Sequence, residues 1–169
     1  MPPSAAAREV GLTLGVAVGA LRFHDANGEN VIVLRTVDTP QHGRWVMADD
    51  VVVHRGKQQV LRSVRDGYQG CDFDVTAEFV AGTLTVRDVD GDGIGEVSFA
   101  YRIACRNDPS PAEQKLVMLQ DGRKYILRGL ARNPYVPYRA PVPQPDAADW
   151  PAGTYDTAMH QFDAIPREF

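Results

Sequence analysis

The sequence predicts a mainly β fold, an antiparallel meander of hairpins with a short C-terminal α-helix; a propeller-like stack of blades is the alternative arrangement of the same hairpins. Three observations carry this. Apolar or β-branched runs are short and separated by turn residues, at 16–24, 30–37, 44–54, 58–65, 74–80, 83–88, 95–104, 115–120 and 123–130. Gly91, Gly93 and the Asp121-Gly122 pair supply the positive φ that tight hairpin turns need. Finally, three stretches share the order strand, acidic glycine turn, strand: Phe23 to Val33, Val86 to Phe99 and Met118 to Leu127.

Taken along the chain, residues 1–15 read as a flexible segment or an edge strand. Val10 to Leu21 has the length of a signal-peptide apolar region, but Arg8-Glu9 precedes it, glycines interrupt it and no cleavage site follows. It is therefore read as strand, with any export signal absent from this chain. Ser110-Pro111-Ala112-Glu113 has a capping-box pattern and predicts a single helical turn. Residues 133–151 hold half of the prolines and read as an extended arm rather than a sheet strand. Over 154–165, Tyr155, Ala158, Met159 and Phe162 fall at i, i+3, i+4 and i+7, one apolar helical stripe that Pro166 ends. The 169 residues make one domain.

A net charge of −4 with mixed signs offers no basic face for nucleic acid, and no run of 18 apolar residues exists to span a membrane. The four histidines are scattered, and no zinc motif, nucleophile elbow or phosphate loop occurs. Asp72 and Asp74 beside Glu78 are the nearest approach to paired catalytic acids, and alternation along a strand explains them without chemistry. The reading is non-enzymatic.

The stretch DVDGDGIGE, residues 88–96, gathers four carboxylates in nine residues. Like charges this close repel unless a cation removes the penalty. Asp88, Asp90 and Asp92 alternate, Gly93 permits a sharp bend, the Ile94 carbonyl offers a further oxygen and Glu96 closes the set. Hard oxygen donors in a flexible loop suit Ca²⁺ better than Zn²⁺. An EF-hand would put its bidentate glutamate at loop position 12, which is Phe99, so the loop instead resembles the nine-residue calcium loops of integrin-type (FG-GAP-like) propeller repeats. The first hairpin turn offers a poorer set, Asp25, Asn27, Glu29 and Asn30. Cys71 and Cys105 are the only cysteines; an even pair flanking strands and a calcium loop predicts a disulfide in an oxidising compartment.

The runs Cys71-Asp72-Phe73-Asp74, Leu84 to Asp88, Asp92 to Val97, Asp108 to Pro111, Lys115 to Met118 and Lys124 to Gly129, with Leu21 to Asp25 ahead of them, resemble an exported bacterial family catalogued as surface polysaccharide biosynthesis proteins. The resemblance implies a single-domain envelope protein, periplasmic or otherwise exported. By architecture and ion loop the chain also resembles small periplasmic calcium-binding β domains that act as immunity proteins against cell-wall-cleaving toxins. The resulting expectation is a calcium-binding inhibitor of a secreted toxin, a product of the secretion systems bacteria turn on one another. The loop at Arg106, Asp108 and Ser110 and the arm at Tyr135, Tyr138 and Arg139 are its candidate partner-binding residues. The alternative is an envelope accessory protein for surface polysaccharide, which needs an open glycan groove lined by Trp45, Tyr68 or Tyr101.

Overall fold

A computed structural model describes residues 1–169. Helix α1 (Pro3–Glu9) is followed by strands β1 (Val16–Asp25), β2 (Gly28–Thr39), β3 (Gly43–His54) and β4 (Lys57–Tyr68). Then come β5 (Asp74–Phe79), β6 (Thr85–Arg87), β7 (Glu96–Arg106), β8 (Glu113–Gln120), β9 (Arg123–Leu130), β10 (Val142–Gln144) and helix α2 (Thr154–Ala164).

The strands form two antiparallel sheets. One is the meander β1-β2-β3-β4; the other runs β10-β9-β8-β7-β5, with β6 also on β7. Period-2 alternation turns Ile32, Leu34, Val46, Ala48 and Val64 of the first sheet toward Val97, Phe99, Tyr101, Val117, Leu119 and Ile126 of the second, and these make the main core. The opposite faces are covered by the helices. Ala6, Ala7 and Val10 lie on Val31, Val33 and Val51, while Ala158, Phe162 and Ile165 lie on Leu116, Met118 and Leu127. The result is four layers, helix, sheet, sheet, helix. The look-alike hairpins are thus shared between two stacked sheets and do not make blades.

Residues 1–15, expected as flexible or edge strand, begin instead with α1. Its alanines have the highest helix propensity, proline stands in the first turn where its missing N–H costs nothing, and Gly11 at φ 72° ends it. Seven residues are too few to be helical alone, and the buried Ala6-Ala7 face supplies what propensity lacks. The helical turn expected at 110–113 is absent, because Asp108 takes the Ser110 N–H and Glu168 takes the Ala112 N–H, and Glu113 goes straight into β8. The proline arm contributes one three-residue strand after all, β10, paired to β9 through Val142↔Arg128, Pro143↔Leu127 and Gln144↔Ile126. An edge position tolerates the proline. The terminal helix lies where the stripe placed it, with Ala158 and Phe162 buried.

The Cys71–Cys105 disulfide is formed, with S–S 2.05 Å and Cα–Cα 5.8 Å. It ties the segment crossing between the sheets to the far end of β7. No helix is long and apolar enough to cross a membrane.

Candidate metal centre

Strands β6 and β7 are paired by Arg87↔Glu96, and residues 88–95 close the hairpin between them. Pairing fixes both ends of the acidic loop, so Asp88 and Glu96 are held at its neck, and Gly91 (φ 77°) and Gly93 (φ 86°) make its bends. Ligand oxygens of Asp88, Asp90 and Glu96 lie within 4.8 Å of one another. This acidic triad can hold a metal ion.

Backbone donors organise the loop around the carboxylates. Asp88 accepts from Gly91 N at 2.8 Å and Gly93 N at 3.1 Å. Asp90 accepts from Asp92 N at 3.2 Å, and Asp92 from Ile94 N at 2.8 Å. Glu96 Oε2 accepts from Val89 N at 2.6 Å, but Glu96 Oε1 is buried with no hydrogen-bond partner. Glu96 is only 2% exposed. A buried anion without a countercharge is unfavourable, and burial, reinforced by the nearby Asp90 and Asp88, pushes the Glu96 carboxyl up to about 7. A cation seated against Asp88 and Asp90 would supply both the missing partner and the missing charge. The donor set is all oxygen.

The structure therefore joins three of the residues singled out in the sequence. Asp92 stands outside the triad, its second oxygen accepting from Gln120 Nε2 at 3.0 Å, and Ile94 lies half-buried in the loop. Gln120, which sequence reasoning passed over, also donates to Asp90 at 3.0 Å. A second brace was equally invisible: Asp25, at the first hairpin turn, accepts from Gly95 N at 3.1 Å, while Ala26 N donates to Gly93 O at 2.9 Å. The only sequence signal for either was their place beside a turn, since the partners are far apart in the chain.

The candidate partner-binding residues divide. Arg106 is committed internally, to Glu168 and the Ser110 carbonyl, with its guanidinium over the Phe169 ring. Asp108, Ser110, Tyr135, Tyr138 and Arg139 are exposed. Asn133 joins the loop to the arm, donating to Pro109 O at 2.7 Å and accepting from Tyr135 N at 2.8 Å. Beside them is a cleft of about 330 Å³ that Arg132, Tyr138, Arg139 and Arg167 help to line. Tyr101, by contrast, belongs to the core at 2% exposure, its hydroxyl on Asp66 at 2.9 Å, so it lines no glycan groove. None of the protein-family models matches this chain, and no curated protein or solved structure matches it either.

Proposed function

We propose that the protein is a non-enzymatic calcium-binding protein of the periplasm or another exported, oxidising setting, and that it acts by binding a protein partner, as an immunity protein that inhibits a secreted antibacterial toxin. A cell-wall hydrolase is the toxin this reading expects. The observation that carries the calcium reading is Glu96 Oε1, buried and unpartnered beside Asp88 and Asp90. Asp88, Asp90 and Glu96 would hold the ion, with Asp92 and the Ile94 carbonyl as the further oxygens that Ca²⁺ ordinarily requires. Oxygen donors without histidine or cysteine favour it over zinc.

Support for the partner comes from the surface formed by the 108–110 loop and the proline arm. Tyr135 is 69% exposed and Tyr138 49%, both on backbone held by Pro134 and Pro137. Rigid aromatic anchors with a neighbouring arginine lose little freedom on docking, which is what protein interfaces favour.

Titration calorimetry of the chelator-treated protein with Ca²⁺ is the direct test, read together with its melting temperature. The reading expects saturable heat and a higher melting temperature in calcium. No heat and superimposable melting curves would leave the loop as a solvated acidic turn.

A further inference from the structure

The cleft of about 330 Å³ is lined by residues from 130–139 and by Arg167 of the C-terminal tail. Ligand sites run from about 300 to 1,000 Å³, so this one suits one or two side chains rather than a long element. Three guanidiniums line it, those of Arg132, Arg139 and Arg167, and no carboxylate does, although the chain as a whole carries a net charge of −4.

The neighbouring acids are already committed. Asp163 Oδ1 accepts from Arg132 Nη2 at 3.1 Å and from the Tyr138 hydroxyl at 2.6 Å, and the Tyr138 ring stacks on the Arg132 guanidinium with 5.0 Å to its centroid. Glu168 pairs with Arg106 and accepts from Ala112 N at 3.0 Å. Arg139 and Arg167 are exposed and make no ion pair. Two unmatched guanidiniums from separate segments thus share one cavity.

The frame around them is fixed. Asn133, 7% exposed, is hydrogen-bonded to both the 108–110 loop and the arm, and its bridge to Val136 closes the turn that contains Pro134. Glu168 N donates to Arg132 O at 2.9 Å, which holds the tail carrying Arg167 against the arm. The lining also has an apolar part, with Leu130 41% exposed and Val136 38%. Guanidiniums match a carboxylate by their fork of N–H donors, and a preset frame lowers the entropy cost of docking. A lone phosphate would satisfy the arginines and leave the apolar part in water, whereas an acidic side chain beside an apolar one would use both.

We infer that this cleft receives an acidic segment of the protein partner, with Arg139 and Arg167 paired to its carboxylate and Leu130 and Val136 covering an adjoining apolar side chain. The inference rests on the proposed protein-binding reading and adds to it the chemistry of the partner's contact; the acidic loop at 88–96 plays no part in it.

Titration calorimetry of the full chain at low salt, with an end-blocked peptide of alternating glutamate and leucine as probe, tests it. The expected result is saturable one-to-one binding, weakened at least tenfold by Arg139→Gln, by Arg167→Gln and by glutamine in place of the peptide's glutamates. Absence of saturable binding, or binding indifferent to both arginines, overturns the inference. So does inorganic phosphate that binds through these arginines and is not displaced by the peptide, which would make the cleft a small-anion site. Pull-down from the native envelope separates the inference from the reading beneath it. A protein retained equally by wild type and the Arg139→Gln, Arg167→Gln double variant overturns the inference and keeps the protein-binding reading. Recovery of no protein overturns that reading, and the inference with it. A protein lost from the double variant and displaced from wild type by the peptide supports both.

Discussion

Glu96 shows how one residue can set the response of the whole loop. In the fold its carboxyl is raised from 4.5 to about 7, so the folded chain binds this proton more tightly than the unfolded chain does. The contribution is fully present below about pH 4.5 and is lost as pH rises toward 7. In chelator, Glu96→Gln keeps an acceptor for Val89 N but carries no charge. Its melting temperature relative to wild type should therefore climb between those pH values and level off above them, as scanning calorimetry across pH would show. A flat difference would mean that Glu96 is not an isolated buried acid. Asp90→Ala should melt below wild type in calcium and respond little to chelator. The gap between the two proteins at 100 times the dissociation constant should approach about 2.7 kcal/mol, the linkage expected for one site.

At the level of elements, α2 is held by what it covers. Its turn-spaced Ala158 and Phe162 seal Leu116, Met118 and Leu127, and Phe162 approaches β9 closely enough that a Cβ built on Gly129 would come 2.9 Å from the Phe162 ring. Phe162→Ala should cost about 3–5 kcal/mol in urea unfolding, because the cavity it leaves is walled by two rigid elements. Gly129→Ala should also destabilise, through overpacking, and combining it with Phe162→Ala should relieve part of its cost. Strict additivity of the two would show that the ring and the glycine do not share the space. The acidic loop belongs to this scale too. It is short, pinned at its neck by the β6–β7 pairing and braced from outside by Gln120 and Asp25.

For the whole molecule, the disulfide joins the crossover between the sheets to the end of β7, closing a loop whose ends are 34 residues apart. Chain entropy assigns such a closure about 3.8 kcal/mol. Cys71→Ser with Cys105→Ser should lower stability by an amount of that order in denaturant titration, and non-reducing mass spectrometry of periplasmically expressed protein should show the bond. Two free thiols there would remove both the crosslink and the argument for an oxidising compartment. Pull-down from the native envelope should recover a protein, with Tyr135→Ala and Arg139→Ala weakening its retention while leaving the melting temperature unchanged. Strong saturable binding to a glycan array, indifferent to those substitutions, would count for the polysaccharide reading instead.

The strands, the terminal helix, the disulfide and the acidic loop were legible in the sequence because each has a local cause. Alternation marks a half-buried strand, Gly91 and Gly93 mark a bend, and Asp88, Asp90 and Glu96 come together across one hairpin. Other features depended on what the chain meets after folding. Helix α1 is too short to declare itself and exists because Val31, Val33 and Val51 offer an apolar face. The turn at 110–113 stays unwound because Glu168, from the far end of the chain, takes the amide that a helix would have used. Stacked sheets replaced blades because the inner faces of both sheets are apolar and find each other. Asp50 reads as an ordinary strand residue until folding buries it with one oxygen left unpartnered. Spacing along a chain reports only neighbours within a few residues, whereas burial, and with it the cost of an unpaired charge, is decided by segments that sequence distance keeps apart.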